Sequence, residues 1–172
     1  MNKISTRIIL VIVVAAVYLL VWRPLRVTIN VNVIQPVSES IIEGSEDRFQ
    51  TRPTSKPISF HLDVLDSETG RRQNTFVFGT PWGFYLVFPL IVLLLLDRGW
   101  FFINLHLGVQ FVVGFVAILL FWGGLAGFVS LLHITKMLVM YVNPGFGLML
   151  VMLLAIRRFK GEDKIIGEQS GG

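Results

Sequence analysis

The chain contains no cysteine, which excludes disulfides, thiolate nucleophiles and thiolate metal sites and leaves the redox compartment unread. Charge is scarce as well. Asp, Glu, Lys and Arg make up 15% of the 172 residues, against about 25% in an ordinary soluble domain. That shortage excludes a cytosolic globular protein, a disordered tail and a nucleic-acid module. The net charge of +4 does not restore nucleic-acid binding, because the basic residues flank apolar runs and form no phosphate-binding stripe. There are no internal repeats, no Asn-x-Ser/Thr acceptor, no phosphate-binding glycine loop, no Ser/His/Asp order and no His-x-x-x-His pattern. The reading is therefore non-enzymatic, with no cofactor and no metal.

What the chain has in abundance is apolar surface. Hydrophobic types reach 53% and mean hydropathy is +0.70, which together indicate an integral membrane protein with the lipid bilayer as its first partner. Ile8 to Trp22 is free of charge. With Arg7 snorkelling it reads as a membrane anchor. It stays uncleaved, because Tyr18-Leu19-Leu20-Val21-Trp22 places bulky residues where a signal peptidase needs small ones. A second span is expected over Pro81 to Leu96, with Thr80 as cap, Pro81 at its first position and a kink at Pro89. Asp97-Arg98-Gly99 makes a polar turn. No charge appears from Trp100 to Leu132, so a third helix is placed over Phe101 to Gly124. The fourth runs from Met137 to Ile156, and Asn143-Pro144-Gly145 predicts a kinked or discontinuous helix.

Residues 23–80 are the one sizeable polar region. Val27, Ile29, Val31 and Val33 alternate with Thr28, Asn30 and Asn32, the period of a half-buried strand. Ile58 to Val64 alternates likewise, and Arg72 to Phe78 places Asn74, Phe76 and Phe78 on one face. Gln35 to Pro57 reads as a connector, with a short helix over Ser38 to Phe49. The expected architecture is a membrane α-helical protein of four transmembrane helices, with an extracytoplasmic β segment of about three strands between helices 1 and 2. Its parts are an anchor (1–22), a β-rich domain (23–80), a three-helix membrane region (81–156) and a cytoplasmic tail (157–172), frayed from Gly161. Lys3, Arg7, Arg98, Arg157, Arg158, Lys160 and Lys164 outnumber Arg23, Arg26, Arg71, Arg72 and Lys136 near the span ends. That bias puts both termini in the cytoplasm, as expected of the bacterial inner membrane.

Polar residues inside spans are costly unless partnered. Asn104, His106 and Gln110 are such residues, and the last two share a helical face. They predict either a ligand or proton site or ordinary interhelical hydrogen bonds; the second reading is preferred. Gly123 and Gly127 form a small-xxx-small pair suited to close helix packing. Asn143, Pro144 and Gly145 suggest a kink that shapes a docking surface, or a pathway for a small solute. His133 and Lys136 read as a snorkelling boundary. Asp63, Asp66 and Glu68 beside Arg71 and Arg72 read as surface charge. The strands, near the lower limit for independent stability, are expected to lean on the bilayer, another subunit or a second copy, and an exposed edge offers a pairing site.

The anchor, the small β segment and then Pro81-Trp82-Gly83-Phe84-Tyr85-Leu86-Val87-Phe88-Pro89-Leu90 leading into a membrane hairpin resemble the small membrane proteins associated with bacterial exosortases. The resemblance implies an accessory or scaffold role in envelope protein sorting or polysaccharide export. Exosortases themselves resemble Cys/Arg/His transpeptidases; a chain without cysteine is not that catalytic subunit, and no functional residue is carried over. The alternative reading is a small transporter or channel subunit using the fourth helix.

Overall fold

Residues 3–44, 49–52, 57–66, 68–95 and 100–169 are described by a computed structural model, with side chains of 5–156 only. The Asp97-Arg98-Gly99 turn lies outside the described residues.

The first element, α1 (residues 3–43), is one unbroken helix. From Ser5 to Glu43 it runs 39 residues, or about 58 Å, apolar toward its N-terminal end and mixed beyond Trp22. The strand expected over Val27 to Val33 is therefore helical, as is Gln35–Glu43. The inward positions explain the correction: Arg26, Asn30, Ile34 and Ser38 are buried and Trp22 is half-buried, a four-residue period. The alternating valines instead end up outside, where Val31 and Val33 are exposed.

Three wide turns keep the prolines inside helices. Arg23 N–H bonds the Tyr18 carbonyl, Gln35 N–H that of Asn30, and Asn143 N–H that of Leu138. Each of these five-residue-step bonds is made by the residue just before a proline. Pro24, Pro36 and Pro144 have no N–H, and in an α-helix their rings would strike the carbonyl four residues back; a π turn moves that carbonyl away. In α1 the wide turns also hold the row at 22, 26, 30, 34 and 38 straight. In a pure α-helix each four-residue step would overshoot by about 40°.

The sheet is antiparallel, ordered β1 (Phe49–Arg52), β2 (Ser59–Leu65), β3 (Arg72–Gly79). Phe60 faces Phe78, Leu62 faces Phe76 and Phe49 faces Val64, so these side chains form one apolar layer. That layer lies on α3 (Trp100–Leu125). Phe121 of α3 is fully buried and stacks on Phe78 at 4.2 Å with rings 3° from parallel, with Phe76 and Phe60 around it. Ile34 and Leu132 complete the same core. The three strands thus share one hydrophobic core with the helices.

Between sheet and α3 runs α2 (Phe84–Leu95), only 12 residues and about 18 Å long, which is short of a hydrocarbon core of about 30 Å. The last helix, α4 (residues 130–169), passes through Asn143-Pro144-Gly145 without a break, and a π turn over Leu138–Val142 stands where a kinked or discontinuous helix was expected. Its backbone stays helical to Gln169, where a frayed tail was expected. Leu93, Ile103 and Leu154 cluster together, which places the end of α2, the start of α3 and residue 154 of α4 at one end of the bundle. Three helices are long and apolar enough to cross a membrane: Ser5–Glu43, Trp100–Leu125 and Ser130–Ile156.

Candidate functional site

The centre of the molecule is the segment from Thr80 to Gly83. Thr80 and Pro81 were expected to open a helix, yet α2 starts only at Phe84. The carbonyls that would have served its first turn are taken by α1. Arg26 donates from Nη2 to the Thr80 carbonyl and from Nε to the Pro81 carbonyl at 2.8 Å. Trp22 donates from its indole to the Trp82 carbonyl at 2.9 Å. Three consecutive carbonyls are thereby held by two side chains one turn apart. The flat fork of a guanidinium suits this, since it offers several fixed donors where an ammonium offers a point charge. Gly83 matters for the same reason: a Cβ there would lie 3.2 Å from Nη2.

Held this way, the backbone at Trp82 takes a φ of 62°, a left-handed conformation that costs a bulky residue about 1–2 kcal/mol. What offsets it is the seat of the ring. The indole donates to the Gln110 carbonyl at 3.0 Å and lies among Trp22, Phe111 and Phe115. It also fills the space over Gly114, where a Cβ would come within 2.2 Å of its nitrogen.

One turn further along α3 lies the polar cluster. His106 and Gln110 are both essentially without solvent exposure. Gln110 Nε2 donates to the Asn143 carbonyl of α4 at 2.9 Å, and His106 Nε2 lies 2.9 Å from the Leu86 carbonyl of α2. A carbonyl only accepts, so Nε2 carries the hydrogen. Pro89 of α2 packs over Gly147, whose added Cβ would lie 2.5 Å from the proline ring and 3.3 Å from His106 Cε1. His106, Gln110 and Asn143 therefore meet at the junction of α2, α3 and α4.

Not every candidate joins them. Asn104 is exposed on the other side of α3, Pro144 is partly exposed, and Gly145 is exposed with nothing near it. Gly123 and Gly127 play different parts: a Cβ at Gly123 would meet Leu131 of α4 at 3.0 Å, a close approach between helices. Gly127 lies past the end of α3 with φ 117°, its N–H bonding the Gly124 carbonyl while Phe128 N–H bonds that of Gly123. This is the paired closure in which glycine ends a helix. A still tighter contact belongs to Gly124, where a Cβ would meet Leu132 at 2.6 Å. His133 and Lys136 are exposed, and His133 lines a cleft of about 250 Å³ with Gln73, Asn74 and Phe76.

The acidic residues serve the sheet. Asp63 pairs with Arg52 at 3.0 Å and accepts from Thr75 at 2.7 Å. Asp66 accepts from the Thr69 amide and hydroxyl, both at 2.9 Å, and from the Glu68 amide. These donors hold its carboxyl below the usual range. Among the described residues no three His, Asp or Glu side chains are grouped to hold a metal.

Sequence reasoning missed Trp22, Arg26, Trp82, Gly114 and Gly147. Arg26 looked like a membrane flank. The available signal was the four-residue spacing from Trp22 to Ser38. The chain matches no protein-family model, no curated protein and no solved structure.

Proposed function

We propose that this chain is a non-enzymatic accessory or scaffold protein of the bacterial inner membrane that binds a membrane-protein partner or a second copy of itself along α1. The observation that carries this is that α1 keeps exposed apolar side chains past the reach of lipid. A hydrocarbon core of about 30 Å covers about 20 residues of helix, roughly from Ser5 to Leu25. Beyond that point Val31, Val33 and Val37 remain 41%, 45% and 37% exposed. Val33 and Val37 lie one turn apart on one flank of the helix and Val31 on the other, and apolar side chains exposed beyond the lipid on both flanks suit a protein contact.

In this reading α1, α3 and α4 cross the bilayer, α2 returns the chain as the fourth crossing together with the non-helical segment 80–83 leading into it, and both termini face the cytoplasm. The sheet sits on the outer side with its β1 and β3 edges open. The layout resemblance supports an envelope protein-sorting or polysaccharide-export system of the exosortase type as the setting. The transporter reading rested on a broken fourth helix, and α4 is continuous.

A photo-crosslinker at Val31 or Val33, activated in native membranes before mild detergent extraction, tests the proposal. A discrete protein adduct is expected. Lipid adducts alone, with a strictly monomeric particle, overturn it.

A further inference from the structure

Three buried acceptors at the α2–α3–α4 junction accept no hydrogen bond from any described residue: His106 Nδ1, Gln110 Oε1 and Asn143 Oδ1. Their residues are 0%, 1% and 5% exposed. For two of them the assignment is fixed by their neighbours. His106 carries its hydrogen on Nε2, because that atom meets a carbonyl, so Nδ1 presents a lone pair. The amide nitrogen of Gln110 meets the Asn143 carbonyl, so Oε1 points elsewhere.

Buried acceptors without donors are rare in folded proteins, and each costs desolvation with nothing in return. All three lie at one interface, with Gln110 bonded to the Asn143 carbonyl and His106 set against Gly147 one turn further along α4, so one remedy can serve them. We infer that the junction holds a water-sized guest which gives hydrogen bonds or positive charge to these three atoms. A buried water needs two to four polar partners, and the cluster supplies that number. An amide-oxygen set also suits a monovalent cation, as sites of this kind use carbonyl oxygens. No carboxylate enters the hydrogen bonds of the cluster, so a doubly charged ion is left uncompensated. The inference is independent of what binds along α1.

The test uses the full chain in lipid nanodiscs. Unfolding midpoints are compared in sodium, potassium, ammonium and choline chloride at equal ionic strength. Separately, proton-detected solid-state NMR looks for transfer between water and the Gln110 side-chain amide or the His106 ring. A midpoint about 2–4 °C higher with one small cation than with choline identifies a cation. Equal midpoints with a water cross-peak identify water. His106→Phe keeps the ring volume and removes both the Nδ1 lone pair and the Nε2–H bond to Leu86, so it is expected to lower the midpoint in every salt and to abolish whichever signal the unmodified protein shows. Gln110→Met does the same from the second position should the first variant not fold. Equal midpoints and no water transfer in the unmodified protein overturn the inference.

Discussion

The indole of Trp82 occupies the space a side chain on residue 114 would need: a Cβ at Gly114 would sit 2.2 Å from its nitrogen. That contact joins the strained turn before α2 to the middle of α3. Gly114→Ala is therefore expected to displace the ring, break its bond to Gln110 and destabilise the fold by about 1–3 kcal/mol, the usual range for overpacking. Gly108→Ala is the control. Nothing lies within 4 Å of a Cβ there, and alanine is the better helix former by up to about 1 kcal/mol. Unfolding in a mild detergent, followed by tryptophan fluorescence, separates the two. Equal stability of both variants rules out the proposed seat.

Arg26 grips two carbonyls with one guanidinium. Arg26→Lys keeps the charge and loses the fork, so the carbonyls of Thr80 and Pro81 cannot both be served. Hydrogen bonds to charged groups contribute about 1.5–3 kcal/mol, and a loss of that order is expected. The release is local: crosslinks between α1 and the segment 80–83 decline while the sheet stays intact. Wild-type stability and crosslinking in the lysine variant would show that one donor is enough.

Much of this was legible beforehand, and the failures have a common cause. β2 and β3 alternate in sequence because one face of each packs on the core, through Phe60 and Leu62 and through Phe76 and Phe78, although Ser59 and Asp63 on the other face of β2 are buried as well. α3 was placed within a residue or so at each end, since Gly124 and Gly127 mark its close. The stretch Val27 to Val33 alternates just as cleanly and is helical. There the alternation does not report burial: the valines face outward, and the residues that face in are Arg26, Asn30, Ile34 and Ser38. An inner row with three polar members out of four, Arg26, Asn30 and Ser38, and exposed valines outside it run against the rule on which pattern reading rests. Likewise β1 presents one buried residue, Phe49, and cannot be told from a loop. His106 and Gln110 were readable as one face. Arg26 was not readable as a site, because its partners are carbonyls 54 and 55 positions away and carbonyls leave no trace in a sequence.

Phe121 carries the sheet. It meets Phe60, Phe76 and Phe78, and Phe121→Ala removes the ring all three share. Large-to-small changes of this kind cost about 3–5 kcal/mol. The strands are expected to lose amide protection while α3 and α4, held by the Gln110–Asn143 bond and the glycine contacts at their turn, keep theirs. Hydrogen exchange read by mass spectrometry reports both regions at once. Simultaneous loss in helices and strands would mean that the sheet is needed for the bundle.

Asp66 gives the sheet an acid-sensitive corner. Its carboxylate accepts from the Thr69 amide, the Thr69 hydroxyl and the Glu68 amide, and these hold its pKa below the ordinary carboxylate value. A group whose native pKa is depressed adds stability above its unfolded pKa, and that stability is lost as pH falls through the native value. The turn between β2 and β3 is therefore expected to be firm at neutral pH and to loosen in acid, below the point where free aspartate protonates. Asp66→Ala removes the acceptor and with it the pH dependence, leaving the turn equally loose throughout. Amide exchange at Thr69, followed from pH 6 downward in both proteins, reads the difference; parallel profiles in the two would show that these hydrogen bonds do not control the turn.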